Sequence, residues 1–298
     1  MAIRKLPSSG DAPRSTGVPE SLVAGGAADS AGFPWAGRTF DHHGTEFADD
    51  DGSTPEELRA AVQGVRDAAA AVRGSDPGAD PSAALAALAQ GHADAVAALS
   101  RCRLLIPLVA EAGDLGRTPE GRTVEKTQEL SIVTVAAPDG RRVMPVFSST
   151  DAMRRWNPGA RPIPVPGPQA ALAAAQEGTD LVIVDPGSPE CEYGVRRPAL
   201  RAVATGERSL PSWADADVRA AFSASVADDP RVRDAVLVPG DPEGRLLAPE
   251  TDAVLLIEPG LGRDELAEVV ERAQRRWAGD AVVAERVDSL RVVIRPAA

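Results

Sequence analysis

Apolar residues in this chain fall into two patterns, and their alternation leaves few folds open. Short runs such as Leu104–Val109, Val143–Phe147 and Leu181–Val184 have the length of a buried strand. Other segments repeat their apolar residues at intervals of three and four, as Leu85, Leu88, His92, Val96 and Leu99 do, which is the helical period. Strands interleaved with helices must bury sheet faces under helices, so the expected class runs from α/β to α+β. The longest apolar runs, such as Ala83–Ala89, are far too short to cross a bilayer, so no membrane partner is expected. The start, MAIRKLPSSGD, places no apolar stretch after its basic residues. It does not read as a secretory signal, and a cytoplasmic location is expected.

Residues 1–53 are rich in Gly, Ser, Pro, Ala and Asp and show no sustained period, so they read as a disordered head. One island, GFPWAGRTF, gathers Phe33, Trp35 and Phe40, which together suit docking into a groove. Residues 54–81 read as a helix and a linker. Thr54 is the expected N-cap, Pro55 the first helical position, and GSDPGADP the break. A second helix follows over Ser82–Arg101, its stripe expected to lie on a sheet.

Residues 82–205 read as a mixed-sheet module with flanking helices. Glu129–Ala136 and Val143–Phe147, joined by the turn Pro138-Asp139-Gly140, are expected to form a hairpin. Ser149 or Thr150 can cap a short helix, Asp151–Trp156. Pro162–Pro166 is extended because alternate prolines forbid helix. A helix over Gln169–Glu177 ends at Gly178, the strands Leu181–Val184 and Tyr193–Arg196 follow, and a helix starts at Pro198.

Residues 206–214 read as a linker, and 215–298 as a smaller α+β module with one long helix on an antiparallel sheet. Its expected elements are a helix at Asp215–Val226, strands at Ala235–Val238 and Ala253–Glu258, and the long helix Arg263–Trp277. Two last strands, Ala281–Val287 and Leu290–Arg295, are expected to turn at Asp288-Ser289. On the long helix, Glu268–Arg272 and Glu271–Arg275 have the spacing of surface ion pairs, each worth about 0.3–0.5 kcal/mol.

The segment VEKTQELSIVTVAAPDGRRVMPVFSSTDAMRRW (Val124–Trp156), with RPIPVP, LVIVDPGSP and RRPAL after it, resembles the N-terminal domain of the SseB family over about residues 83–205. The final module is similar in type to the second domain many members carry, and PWAGR resembles the actinobacterial members. The family takes its name from an enhanced-serine-sensitivity phenotype. The resemblance therefore implies a link to amino-acid metabolism or its regulation. It carries no catalytic residues with it.

Charge narrows the partners. The chain carries a net −12, which disfavours nucleic acid, because phosphate contacts need a basic surface. Only residues 101–214 are positive, at +1. In that stretch stands Lys126, one of two lysines against 30 arginines, with Glu129 beside it. Lys126, Glu129, Ser149, Arg154 and Arg155 form the candidate set for contacting a partner or a small anionic ligand, since helix-start amides and guanidiniums both suit carboxylates. A solvated strand edge and a charged helix end would account for the same residues.

Catalytic groupings are not apparent. Cys102 and Cys191 are isolated, and the glutamates flanking Cys191 oppose thiolate formation. His92 lies on an apolar helix face with no acid nearby in sequence. Asp180 and Asp185 are separated by a four-residue strand, more than about 10 Å, and suit turn and cap roles. Asp41, His42, His43 and Glu46 offer metal-ligand atoms, but a floppy segment lacks the supporting bonds that a metal site needs. No metal or cofactor is expected. The favoured function is a non-catalytic regulatory or protein-interaction protein. A sensor of an amino acid or other anion is the alternative, and an enzyme with a dispersed site comes third.

Overall fold

The computed structural model describes residue 47 and residues 49–297, except 77, 113–114, 118–122, 126–127 and 138–139; between 110 and 131 it gives the strand backbone alone. The chain divides into Met1–Asp49 and a compact unit, Asp50–Ala298, which holds every element that follows.

Two antiparallel helices open the unit. Helix α1 (Glu56–Arg73) buries Leu58, Val62, Val65 and Ala69, spaced to share one face. Pro55 rather than Thr54 occupies its N-cap position, because the Thr54 hydroxyl bonds Ser148 Oγ at 2.8 Å instead. Helix α2 (Ser82–Arg101) is buried around much of its circumference, including Leu88, His92, Ala95, Val96 and Leu99. Its principal neighbours are α1 and two later helices, so the apolar stripe meets helices and not the expected sheet.

Strand β1 (Arg103–Ala112) follows, then β2 (Leu115–Arg117), β3 (Thr123–Glu125), β4 (Gln128–Ile132), β5 (Val135–Ala136) and β6 (Arg142–Val146). The expected strand over Glu129–Ala136 is divided. Strand β4 pairs antiparallel with β1, while β5 pairs antiparallel with β6 in another sheet. The hairpin therefore keeps only two residue pairs, Val135 with Val143 and Ala136 with Arg142. Strands β2 and β3 pair with each other.

Helix α3 (Thr150–Trp156), strand β7 (Arg161–Pro166), helix α4 (Gly167–Gln176), strands β8 (Leu181–Val184) and β9 (Tyr193–Arg196), and helix α5 (Arg197–Thr205) complete the first half. Strand β7 tolerates three prolines because it lies at the edge of the order β4-β1-β7. The second sheet runs β5-β6-β8-β9, with β6 and β8 parallel and the outer pairs antiparallel. Helices α2, α4 and α5 lie together, and α4 meets α2 closely: a Cβ on Gly167 would stand 1.7 Å from Leu99 O, so only glycine fits.

The second half holds α6 (Ala216–Val226), β10 (Val232–Pro239), β11 (Thr251–Ile257), α7 (Arg263–Ala278), α8 (Ala281–Arg286) and β12 (Leu290–Pro296). Residues 281–286 are helix, not strand. The Asp280 carboxylate accepts from the amides of Val282 and Val283, and so caps a helix there. With that helix in the crossover, β12 returns parallel to β11 and there is no hairpin at Asp288-Ser289. The sheet β10-β11-β12 is therefore mixed, where an antiparallel one was expected. Of the two expected ion pairs on α7, Glu271–Arg275 forms. Glu268 and Arg272 turn instead to Arg231 and the buried Asp229.

Residues from both halves, Leu58 through Val283, join one hydrophobic core cluster. A smaller cluster of Leu105, Phe147, Ala152 and Met153 lies under α3. The fold is mixed α/β with helices beside mixed and antiparallel sheets, in line with the class expected from the sequence. No helix among the described residues is long and apolar enough to cross a membrane.

Candidate functional site

Three places among the described residues gather polar groups or apolar surface that bear on the expected sites. The first is the start of α3, where the sequence placed its anion contacts. Ser149 is the N-cap, its hydroxyl accepting from the Ala152 amide at 3.1 Å. The Thr150 amide donates to Gly52 O at 3.0 Å, so the segment before α1 lies over this end. Arg103 fixes the arrangement: its guanidinium donates to both carboxylate oxygens of Asp50, at 2.9 and 2.6 Å, and to Ser53 O and Ser148 O. That guanidinium holds the Asp50 carboxyl below its usual range. The Ser148 amide donates to Asp185 at 2.7 Å and the Ser148 hydroxyl to the other oxygen of the same carboxylate. Asp185 is buried, and burial pushes its carboxyl up against the opposing pull of Ser148. It serves this network and not just a turn.

The Ser148 and Thr150 amides and the Ser149 hydroxyl, which an anion would need, are thus bonded within the chain. Arg154 is exposed and stands 3.6 Å from Asp151, and Arg155 is exposed. Glu129 lies opposite Glu111 in the β4–β1 ladder. Lys126 lies outside the described residues, as do Phe33, Trp35 and Phe40.

The second place is a polar cluster where the two halves meet. His92 Nδ1 is 3.0 Å from the Tyr193 hydroxyl and Nε2 is 3.1 Å from Pro242 O. A carbonyl can only accept, so Nε2 carries the proton and Nδ1 accepts from tyrosine. Burial holds the imidazole at a pKa of about 4 and pushes the Tyr193 phenol up. Arg196 donates to Asp241 at 2.6 Å, to Asp288 at 3.0 Å and to Ala248 O at 2.9 Å. Arg141 reaches the same Asp288 at 2.9 Å. Glu250, its carboxyl raised by burial, accepts from the Ser212 and Asp288 amides. The space among these groups is about 50 Å³, room for water and not for a metabolite.

The third place is a cleft of about 510 Å³ on the second face of the β5-β6-β8-β9 sheet. Val135, Val143, Leu181 and Ile183 form its floor. Its other wall is the loop over residues 241–249, which contributes Leu246, Leu247 and Pro249. That loop is pinned across β9. Gly194 N donates to Gly244 O at 2.6 Å, Arg245 pairs with Glu192 at 2.8 Å, and the Asp241 carboxylate accepts from the Arg245 and Leu246 amides. Leu246, at φ +59°, drops its side chain where a Cβ on Gly194 would stand, 2.2 Å away.

Sequence reasoning missed Arg196, Asp241, Asp288 and the cleft. One signal was present: LVIV is apolar at every position, and a strand whose two faces are both apolar needs cover on both. The helices cover one face, and the loop covers only part of the other. Cys191 is buried, and burial more than its neighbouring glutamates raises its thiol.

Residues 82–202 match the family model described as SseB protein N-terminal domain, which spans α2 through most of α5. No match was found for the chain among curated proteins or among solved structures.

Proposed function

We propose that this chain, which carries an SseB protein N-terminal domain over residues 82–202, is a non-catalytic cytoplasmic recognition protein that holds a small, largely apolar molecule and acts as its sensor. The observation that carries this reading is the cleft of about 510 Å³ on the sheet's second face. Ligand sites are concave, mostly apolar and about 300–1,000 Å³ in volume, and this cleft has all three properties.

The non-catalytic part rests on the polar groups. His92 uses both ring nitrogens in structural bonds, its Nε2–H donating to the Pro242 carbonyl and its Nδ1 accepting from a Tyr193 hydroxyl that burial keeps protonated. Arg196 pairs with Asp241 and Asp288, and Arg141 brings a second cation to Asp288. The regulatory role, with its link to amino-acid metabolism, is the one the SseB resemblance implies.

A thermal-shift series on the full chain tests the reading, using aliphatic and aromatic amino acids, acyl compounds and nucleotides. Ligand at a hundred times its Kd adds about 2.7 kcal/mol to the folded state, several degrees in Tm. At least one apolar class is expected to raise Tm saturably, and Ile183→Trp, which fills the cleft, to remove the rise. Flat profiles into the millimolar range for every class overturn the proposal.

A further inference from the structure

The cleft's polar rim says what kind of molecule it takes. Three lining groups carry charge, Arg141, Arg245 and Glu192, and Ser289 carries a hydroxyl. Arg245 and Glu192 pair with each other at 2.8 Å, the glutamate side chain being only 9% exposed. The second oxygen of Glu192 accepts from the Gly187 amide at 2.6 Å. Arg141 pairs at 2.9 Å with Asp288, whose side chain is 4% exposed. The Ser289 hydroxyl donates to Asp288, accepts from the Glu250 amide, and lies 3.1 Å from Arg196. Among the described residues, the ion pairs around the cleft set Arg141, Arg196 and Arg245 against Asp241, Asp288 and Glu192.

The N–H groups of Arg245 that do not bond Glu192 could reach a ligand carboxylate, but only beside an acid that already neutralises that guanidinium, and Arg141 likewise stands beside the nearly buried Asp288, which Arg196 also pairs. A ligand ammonium would meet Glu192 and Asp288 only beside the guanidiniums paired with them. A charged group entering the cleft would lose its hydration and find each opposite charge already countered, which makes its entry unfavourable. The remaining surface is aliphatic: Val135, Val143, Leu181 and Ile183 on the floor, and Leu246 and Leu247 on the wall. Leu247 is 75% exposed, an apolar side chain held out over the opening.

From this we infer that the cleft binds an uncharged apolar small molecule, with an aliphatic chain as its main contact, and discriminates against both carboxylates and amines of the same chain length. The inference rests on the binding reading above and narrows it to a neutral ligand, where the alternative reading of the sequence was a sensor of an amino acid or other anion.

The test uses the full chain and the neutral dye N-phenyl-1-naphthylamine, whose emission rises in apolar sites, displaced in turn by n-decanol, decanoate and decylamine. Decanol is expected to displace the dye at a concentration at least tenfold below either charged analogue. Ile183→Trp should abolish the dye signal. Should that variant fail to fold, Leu247→Glu, at an exposed position, should weaken dye and decanol at least fivefold. Glu192→Gln, which leaves Arg245 without its acid, should narrow the gap between decanol and decanoate and leave decylamine weak. Decanoate or decylamine matching decanol in the unaltered protein overturns the neutral-ligand inference while leaving a binding cleft in place. A protein that raises no dye emission at all removes the cleft as a site, and this inference with it.

Discussion

At the residue scale, His92 is buried and uses both ring nitrogens in hydrogen bonds. Three and four residues from other apolar positions on α2, it reads as a core histidine, and it is one. Its partners come from 101 and 150 residues away, Tyr193 and the carbonyl of Pro242. The groups facing it are Tyr193, Asp241 and Arg196, of which Asp241 favours and Arg196 opposes the imidazolium, and burial outweighs both. The pH dependence follows from the direction of the shift. The unfolded imidazole titrates near 6.5 and the folded one near 4, so between those values the unfolded chain binds the extra proton. Stability from this residue is complete above pH 6.5 and is lost as pH falls toward 4, by an amount on the order of 3 kcal/mol. Urea denaturation at a series of pH values should show this loss, and His92→Gln should flatten it across that window. An unchanged slope in the variant would assign the acid sensitivity to other groups. The candidate anion contacts fared differently. Ser149 was legible as a cap from its place before Asp151, since capping is a local act of the backbone. That Gly52 and Asp50 would lie across the same helix end was not legible, because the contact spans about a hundred residues of chain.

At the element scale, the boundaries that sequence pattern placed well are those set by local chemistry. Strands β8 and β9 and helices α4, α5 and α6 fall within a few residues of expectation. The misplaced elements are those whose state is chosen by partners. The stretch from Gln128 to Ala136 is apolar enough for one strand, yet two sheets compete for it, and it divides between β1 and β6. Residues 281–286 carry two valines and suit a strand, but the Asp280 cap and packing against α6 and α7 make them helix. The loop over residues 241–249 has no periodic signal, and it is the element on which the cleft depends. Gly194→Ala should push Leu246 out of its place and loosen this wall, costing about 1–3 kcal/mol in denaturant unfolding. Dye uptake by the cleft should change with it. A variant of full stability would mean that Leu246 finds another seat.

On the scale of the whole molecule, the two halves that composition and linker signals separated share one core, and a charge network crosses between them. Asp288, from the second half, receives Arg141 and Arg196 from the first. Asp288→Ala would leave two guanidiniums without this acid, one of them nearly buried, at a cost of about 3–5 kcal/mol. Asp50–Ala298 should unfold in one transition, seen alike by tryptophan fluorescence and far-ultraviolet circular dichroism, with a lowered midpoint in the variant. Two separated transitions in the unaltered protein would show that the shared core does not couple the halves.

The sequence by itself determined the class of fold, most helices and strands, and the match of its central segment to an SseB domain, because period, capping and turn chemistry act between residues a few positions apart. Tertiary structure alone decided which strands pair, which distant groups bond the histidine, and that the open face of a sheet becomes an apolar cleft with paired charges at its rim. Those outcomes depend on contacts between residues far apart in the chain, and no local pattern of apolar and polar residues records which distant group will arrive.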